Sequence, residues 1–496
     1  MSTALSRSNG SRLMGKVLWE LQIILRAPFG DPSARPARWE SACCCVSSHG
    51  RREMRMRSRQ CATRGGGGGG GEPEWRARAV GGVEYGWCRA VPGGTGTMLL
   101  ALSLARRATT VAAAVQTTLQ ALQDAHPVLR ARLRGSASGS PTLAFPSSAL
   151  PPLALALLPV PESTPDFHSL IVHELNRNPW AELEDDEPPV LFATLYELPQ
   201  PAAGRAVLFL RIHAAACDRA ASASLVRELV VLLGGDGAAA AGDPEDAAVH
   251  AALEKRIPQR DSCKPFWARG LDMVGYSING LRTSTLPFEV TGTERSTQML
   301  RLGFDRDETR RLLDACKRNG VKLCAAMAAA TLLAARRSKQ LKSNQQETYS
   351  IVTLINCRKF LEPALDDHNV GFYHSAITNT YTIHGEEGLW ELAKRCQDSY
   401  GNSKNNKKHL TDISDLNFLM CRAIENPQLT TASALRTALI SVFEEPVVYD
   451  LTDLQSKAGV EDFVCCSTVH GVGPSIGMFD SIRDGAIRYA LGNLIE

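Results

Sequence analysis

The clearest structural signal in this chain is the stretch Val207-Leu-Phe-Leu-Arg-Ile-His213-Ala-Ala-Ala-Cys217-Asp218-Arg219. Its first residues form an apolar, β-favouring run that ends at a histidine, and a turn of small residues follows. After the turn, Leu and Val recur at helical spacing until Gly234-Gly235 ends the pattern. The stretch therefore predicts a buried strand, a turn that carries His213 and Asp218, and an amphipathic helix.

His213 admits two interpretations at this point. A histidine at the end of a strand is well placed to take a proton from a bound hydroxyl or amine. Alternatively, it is an isolated core histidine, and Asp218 only caps the helix that follows. The spacing alone leaves both interpretations open.

Composition places the chain among ordinary globular proteins. It has 496 residues, 44% hydrophobic and 22% charged, which is enough for two domains. Its formal net charge of +3 favours no particular partner, but 13 Arg and one Lys stand against six acids in residues 1–79. That segment also contains the run Gly65–Gly71, so we expect a disordered basic tail. Its six acids and its poly-Gly run are unusual for an organelle transit peptide. An RNA-binding arm would have repeated Arg-Gly pairs, which are absent here.

The cysteines and apolar runs bound the cellular context. The 14 cysteines include no CxxC pair, which favours free thiols in a reducing, cytoplasmic compartment and no metal site. No apolar run approaches the roughly 20 residues that span a bilayer. We therefore expect a cytoplasmic monomer with no membrane span and no nucleic-acid partner.

Strand and helix patterns alternate along the rest of the chain. Pro127 should end a helix at residues 111–125, and Val190–Leu198 could pair with the central strand as a hairpin. Gly485–Glu496 reads as a strand, after which we expect the natural domain to continue. The other predicted strands are Thr97–Leu104, Leu129–Leu133, Leu300–Phe304, Tyr349–Leu354, Ala376–Ile383 and Glu461–Val469, and further helices are predicted after Asp305 and over Val321–Arg337.

Several segments resemble a known superfamily when they are taken in order. They are DAHPVLRARL (124–133), the strand that ends in His213 and Asp218, INCRKFLEPALDDHNVGF (355–372) and SIRDG (481–485). Together they resemble the chloramphenicol-acetyltransferase-like superfamily of acetyltransferases, condensation domains, alcohol acetyltransferases and plant BAHD acyltransferases, most of all plant condensation-domain or acyltransferase-like proteins. The Asp-Phe-Gly-Trp-Gly segment of BAHD enzymes is missing.

The resemblance implies an α/β fold of two similar lobes, each a mixed β-sheet with flanking helices, and a tunnel between them. We expect an N-terminal lobe at residues 80–250 and a C-terminal lobe at 251–496. Such proteins transfer an acyl group from a coenzyme A-like thioester to an alcohol or amine, with acyl-CoA as co-substrate and no permanently bound cofactor. Their signature is His-His-x-x-x-Asp-Gly, in which the second His is the base and the Asp is structural.

The sequence departs from that signature. Aligned on Asp218, His213 falls on the first histidine, Ala214 occupies the catalytic position and Arg219 replaces the Gly. A one-residue slip along a strand turns a side chain to the opposite face. A β-bulge could re-aim His213, or Cys217 could act in its place, although no companion base is visible near it.

Further site residues follow from the resemblance. Arg358 matches an arginine that would hold Asp218, or it is an exposed arginine. His470 precedes a Gly-Val-Gly-Pro turn that lines the tunnel in relatives, so it could stabilise an oxyanion, act as a substitute base or be a structural turn histidine. Gly473, Ser475, Ala214 and Cys217 are the other candidates for the tunnel lining.

The sequence thus predicts an acyltransferase with His213 as base. The alternative is a catalytically impaired pseudoenzyme, or a small-molecule or partner-binding protein on the same scaffold.

Overall fold

The computed structural model of this protein describes Glu20, Ile24 and residues 75–495, apart from 136–140, 147–152, 165, 183–184, 199–203, 236–250, 285–294, 340 and 427–438. Within these residues the chain forms two mixed sheets and a small antiparallel sheet, with helices packed on them.

Fifteen strands are present among the described residues. They are β1 Trp75–Ala79, β2 Thr95–Leu104, β3 Arg132–Arg134, β4 Thr142–Pro146, β5 Leu155–Leu158, β6 Leu191–Glu197, β7 Ala206–His213, β8 Ser296–Gly303, β9 Glu347–Asn356, β10 His374–Ile383, β11 Leu439–Phe443, β12 Val447–Tyr449, β13 Val460–Val469, β14 Ile476–Arg483 and β15 Ala486–Ile495.

The same residues contain fourteen helices and four short 3₁₀ turns. The helices are α1 Gly82–Ala90, α2 Ala108–Ala125, α3 Phe167–Leu175, α4 Pro179–Glu182, α5 Arg219–Leu233, α6 Leu253–Arg256, α7 Gln259–Ser262, α8 Phe266–Arg282, α9 Arg306–Asn319, α10 Leu323–Ser338, α11 Leu389–Asn405, α12 Lys408–Thr411, α13 Ile413–Glu425 and α14 Thr452–Ala458. The 3₁₀ turns are Val91–Gly93, Pro127–Arg130, Ala214–Ala216 and Arg358–Phe360.

The first sheet has the strand order β13-β2-β7-β6-β5. The strand β7 lies at its centre, antiparallel to β2 and β6, and all eight of its residues are buried. An almost wholly apolar strand suits that position because both of its faces are covered. The predicted β6–β7 hairpin is confirmed, since the main chain of Leu198 and Arg205 closes it with a 2.9 Å hydrogen bond.

The second sheet has the order β10-β9-β11-β14-β15-β8, with β12 added beside β14. Its core packs against α9, α10 and α11. In the first lobe the equivalent core lies under α2 and α5. The two lobes are thus built alike, each a mixed sheet with helices on it.

The lobes share a strand and a core. The strand β13 comes from the second half of the sequence but pairs with β2 at the edge of the first sheet. Its residues Val464 and Cys466 pack in one cluster with Met299 of β8 and Ala490 of β15. The far half of the chain therefore holds the two sheets together. The lobe boundary predicted near residue 250 falls at the end of the segment 236–250, outside the described residues.

Two sequence-based expectations need correction. Residues 75–79, assigned to the disordered tail, form β1 and pair with β4, and Ile24 is buried in the second core. Most of the tail at residues 1–79 lies outside the described residues. The predicted strand Leu129–Leu133 is mainly a 3₁₀ turn, because Pro127 starts a tight turn and only Arg132–Arg134 pairs as a strand.

Candidate functional site

The turn between β7 and α5 builds the candidate site from local sequence. The strand ends at His213, the three alanines form a 3₁₀ turn, and Asp218 caps α5. The Asp218 Oδ1 accepts a 2.9 Å hydrogen bond from the backbone N–H of Ala221. This bond satisfies one of the free N–H groups at the start of the helix. It also fixes where the carboxylate points.

The Asp218 carboxylate is held mainly by the second lobe. Arg358 donates to both carboxylate oxygens at 2.8 and 3.2 Å, and the backbone N–H of Tyr373 donates to Oδ2 at 2.7 Å. His374 Nδ1 lies 2.9 Å from the same oxygen. Burial would raise the pKa of Asp218, but Arg358 and His374 outweigh it and hold that pKa well below its usual value. Arg358 is therefore buried against Asp218 rather than exposed.

The next residue makes a second link between the lobes. The Arg219 guanidinium donates to Asp480 Oδ1 of β14 at 2.5 Å and to the Glu445 carbonyl at 2.9 Å, and it stacks 4.0 Å over the Phe443 ring. Burial raises the pKa of Asp480, although Arg219 opposes that shift. We call Asp218 and Arg219 together the interlobe anchor.

His213 lies in a closed environment. Its side chain is 1% exposed, and its ring packs edge-on against Trp180 at a centroid distance of 5.3 Å. Burial lowers the pKa of His213 to about 3, so the imidazole is neutral at physiological pH. The structure does not open this ring into a channel.

The hydrogen bond of His213 also fixes its tautomer. The Nδ1 accepts a 3.1 Å bond from the backbone N–H of Ala215, so Nδ1 carries no proton. A neutral imidazole then carries its proton on Nε2. A general base needs a free lone pair on a ring nitrogen. In His213 the Nδ1 lone pair accepts the Ala215 bond and Nε2 carries the proton, so this arrangement does not equip the ring to accept a proton.

Ala214 occupies the position that the resemblance gives to the catalytic base. It is buried in a cluster with Val91, Trp180 and the rings of Trp87, Phe192 and Phe372. We call these four aromatic rings the aromatic enclosure. Three of the residues between His213 and Asp218 form a 3₁₀ turn in place of the β-bulge that could have re-aimed His213, and the His213 ring is buried.

Cys217 and Ser475 lie inside the core. Cys217 is completely buried, and burial together with Asp218 raises the pKa of its thiol well above the ordinary value. A buried thiol with a raised pKa is a poor nucleophile. Ser475 is 1% exposed, and its backbone N–H donates to the Leu439 carbonyl at 2.9 Å. The structure thus places both away from any open channel among the described residues.

His470 and Gly473 lie in a turn at the end of β13. His470 Nδ1 is 2.8 Å from Thr297 Oγ1, and burial lowers its pKa. The ring rests on Gly94, where an added Cβ would lie 2.1 Å from His470 Cδ2. Gly473 is half-buried, with a φ of +137° that favours glycine. These contacts show His470 as part of a packed turn.

A cavity of about 440 Å³ lies between the lobes, and Arg219 of the interlobe anchor is part of its lining. It opens between β13 of the first sheet and β8, β14 and β15 of the second. Most of its lining is apolar, and it includes Leu300, Leu302, Val464, Phe479 and Tyr489. None of the five predicted tunnel-lining residues, nor His213, belongs to this lining. Their place in a tunnel lining stays a prediction.

Four arginines belong to the lining of this interlobe cavity. Arg219, Arg301, Arg483 and Arg488 line it, and Arg483 and Arg488 also line an adjoining polar cleft of about 530 Å³. Arg301 and Arg483 share Asp462 as partner. Arg488 is exposed and makes no ion pair with any described residue. It lies across Gly303, where an added Cβ would come 2.2 Å from Arg488 Nη1.

Among the residues with described positions, no group of three or more His, Cys, Asp or Glu side chains is arranged to hold a metal ion. The ten described cysteines are free thiols. Within the same ranges, no helix combines the length and apolar character needed to cross a bilayer.

Structural comparison places this architecture among solved proteins. It is similar to polyketide synthase associated protein 5 from Mycobacterium tuberculosis, with 17% identity, 84% of this chain and 92% of that one covered, and a TM-score of 0.54. It is also similar to TRI3 trichothecene 15-O-acetyltransferase from Fusarium sporotrichioides, with 12% identity, 84% and 90% coverage and a TM-score of 0.59.

A third similar structure is the first condensation domain of the calcium-dependent antibiotic synthetase, with 14% identity, 82% and 86% coverage and a TM-score of 0.55. This chain has the chloramphenicol-acetyltransferase-like fold. A family model described as the C-terminus of phthiocerol/phthiodiolone dimycocerosyl transferase matches residues 293–400 of its second lobe. No curated protein matched the chain in a sequence comparison.

Sequence reasoning missed several residues of the candidate site and of the cavity. Trp87 and Phe372 reach Ala214 from segments far apart in the chain, so no local pattern could reveal them. The cavity residues Tyr489 and Arg488 belong to a strand that read only as alternating apolar and polar. Arg219 did carry a signal, because it replaces the small residue of the signature.

Proposed function

We propose that this protein binds a coenzyme A-like acyl thioester in the interlobe cavity, and that it does so without using His213 as a base. The observation that carries the proposal is the cavity of about 440 Å³, whose mainly apolar lining includes four arginines. The narrower resemblance to plant and BAHD-related proteins, and a cytoplasmic location, form part of the same proposal.

The size and chemistry of the cavity suit such a ligand. Small-molecule sites enclose about 300–1,000 Å³ and combine an apolar lining with a few polar groups. An acyl chain would lie against Leu300, Leu302 and Phe479. The anionic part of the ligand would reach Arg483 and Arg488, where the cavity meets the polar cleft. Arginine suits this role because its planar guanidinium pairs with phosphate through two hydrogen bonds.

The His213 environment supports an impaired active site. A positioned general base contributes about 10²–10⁴-fold to rate. Without it, transfer to an alcohol or amine would depend on holding the two reactants together, which accelerates the reaction separately. Weak acyl transfer is therefore the second candidate function. It is favoured by the intact Asp218–Arg358 pair and by the fold shared with a trichothecene acetyltransferase.

Binding is tested by titrating the purified protein with coenzyme A thioesters of increasing acyl length in a calorimeter. We expect affinity to rise with chain length, and Arg488→Ala to weaken binding about 3- to 10-fold, as loss of one exposed charged contact would. Arg310→Ala is the matched control, since Arg310 is exposed on α9 and lies outside the cavity lining. No binding, or equal affinity for all three proteins, contradicts the proposal.

Catalysis is tested on the same preparations. Hydrolysis and transfer of the thioester should proceed at equal, low rates in wild type and His213→Ala. A rate at least 100-fold lower in His213→Ala would return His213 to the mechanism as a base.

A further inference from the structure

Helix α8, residues Phe266–Arg282, presents its apolar side chains to solvent. Six large apolar residues at or near this face are 42–88% exposed, namely Phe266, Trp267, Leu271, Val274, Ile278 and Leu281. None of the residues of this helix is fully buried. Ordinary monomers rarely expose apolar patches larger than about 300–600 Å². A row of six such side chains therefore calls for a partner.

The polar residues of α8 face the body of the protein instead. Asp272 pairs with Lys264 at 2.5 Å and with Lys408 at 3.1 Å, and the Tyr276 hydroxyl donates to Asp412 at 2.5 Å. Arg269 lies 3.3 Å from Asp415. These contacts fix the rotation of the helix about its axis. The apolar face is consequently held outward by ion pairs and not by chance orientation.

The exposed residues follow the spacing of a coiled coil. Trp267, Leu271, Val274, Ile278 and Leu281 are separated by four, three, four and three residues, which is a repeat of 3.5. We call these five residues the α8 seam. The positions beside it that would flank a second helix are mostly small: Ala268, Gly270, Gly275 and Ser277. Small flanking residues let two helices approach closely.

The α8 seam is nearly symmetric about Val274. Seam residues lie seven and three positions before it, and four and seven positions after it. In an antiparallel pair Trp267 would meet the second Leu281, and Leu271 would meet the second Ile278. Self-complementarity of this kind is what a two-fold interface requires.

We propose that two copies of this chain associate through their α8 seams as an antiparallel helix pair. Each partner contributes roughly 800 Å² to a stable interface, and the six large apolar side chains of α8, which are 42–88% exposed, would form its centre. A bilayer is a poorer occupant, because helices that bind membranes carry free Lys or Arg on their polar face. Helix α8 carries only two basic residues, Arg269, which is paired with Asp415, and Arg282 at its last position. The proposal replaces the monomer expected from the sequence.

Sedimentation equilibrium of the full chain tests the proposal. Wild type should form a species of about twice the 53.7 kDa chain mass. Leu271→Glu should raise the dissociation constant at least 100-fold, since it places two like charges in the seam. Leu157→Glu is the matched control: Leu157 is 56% exposed on β5, away from α8, and its substitution should leave the dimer unchanged. Both variants should keep the wild-type circular dichroism, because both sites are exposed.

Mixing two variants tests the antiparallel arrangement. Leu271→Glu and Ile278→Lys should each be monomeric or weakly dimeric alone. Combined in equal amounts, they should associate at least 10-fold more tightly than either alone. The introduced glutamate of one copy would then meet the introduced lysine of the other, while the second contact of this kind stays apolar.

Each remaining outcome overturns the proposal. A monomeric wild type does so whatever covers the α8 seam. If the monomer floats with phosphatidylcholine and phosphatidylserine vesicles, the seam binds a membrane. If the Trp267 emission is already blue-shifted in the monomer, another segment of the same chain covers the seam. A dimer that survives Leu271→Glu excludes the α8 seam. A mixture that stays monomeric excludes antiparallel pairing.

Discussion

The two ends of the turn between β7 and α5 differ sharply in their surroundings. At the far end, Asp218 contacts Arg358, Tyr373 and His374 across the lobe interface. At the near end, the His213 ring accepts a hydrogen bond from the backbone N–H of Ala215 and packs against Trp180. Asp218 therefore joins the two lobes, and its contacts do not require His213 to act as a base.

Removing the charged partner of Asp218 should have the largest effect on the free energy of unfolding. Arg358→Met leaves a buried carboxylate without its partner, and we expect it to lower the free energy of unfolding by about 3–5 kcal/mol. Urea unfolding monitored by circular dichroism measures this change. Arg310→Met removes an exposed ion pair instead and should cost less than about 1 kcal/mol.

A double substitution keeps this prediction testable if Arg358→Met folds poorly. Asp218→Asn combined with Arg358→Met removes the buried charge as well, and should recover part of the lost stability. Equal costs for Arg358→Met and Arg310→Met would show that the interlobe anchor does not stabilise the protein.

Placing a histidine at residue 214, beside His213, should change the free energy of unfolding by a smaller amount. Ala214→His restores a histidine at the aligned position but overfills the aromatic enclosure, and we expect it to cost about 1–3 kcal/mol of unfolding free energy. Trp87→Ala opens space beside residue 214, since the Trp87 ring packs over Gly96 next to Ala214. In a double-mutant cycle the two changes should cost less together than the sum of each alone. Strict additivity would mean that Trp87 does not close this site.

The pH dependence of the free energy of unfolding reports on the burial of His213. The pKa of His213 is lowered to about 3 in the folded protein, whereas an unfolded histidine has a pKa of about 6.5. Between these values the unfolded chain binds one more proton, so stability is full above about pH 6.5 and is lost as the pH falls.

Wild type should therefore lose about 1.4 kcal/mol per pH unit more than His213→Asn between pH 6 and pH 4. Asparagine keeps an acceptor for the Ala215 N–H but has no proton to bind in this range. The exposed His384 provides the control, since His384→Asn should leave the slope as it is in wild type. Identical slopes for wild type and His213→Asn would refute a buried neutral His213.

The local elements of the fold followed from the sequence because their signals are local. The apolar run before His213, the helical spacing after Asp218 and the closing Gly234 mark β7 and α5. Asp305 likewise begins α9 as its cap. The pairing of Arg358 with Asp218 could be proposed only through the resemblance, because 140 residues separate them.

The residues that surround Ala214 could not be predicted from local sequence patterns. Trp87, Trp180 and Phe372 converge on Ala214 only after the lobes have assembled. Helix α8 was not predicted from the sequence. Its ion pairs, among them Asp272 with Lys264, form only in the folded chain and turn its apolar face outward.

The titration of the His213 imidazole by NMR tests the central claim most directly. In histidine-labelled protein, the His213 ring signals are assigned by their loss in His213→Asn. We predict a neutral ring with its proton on Nε2 throughout the range from pH 8 to pH 5. A midpoint between pH 6 and pH 7, or a proton on Nδ1, would contradict the account and restore His213 as a base.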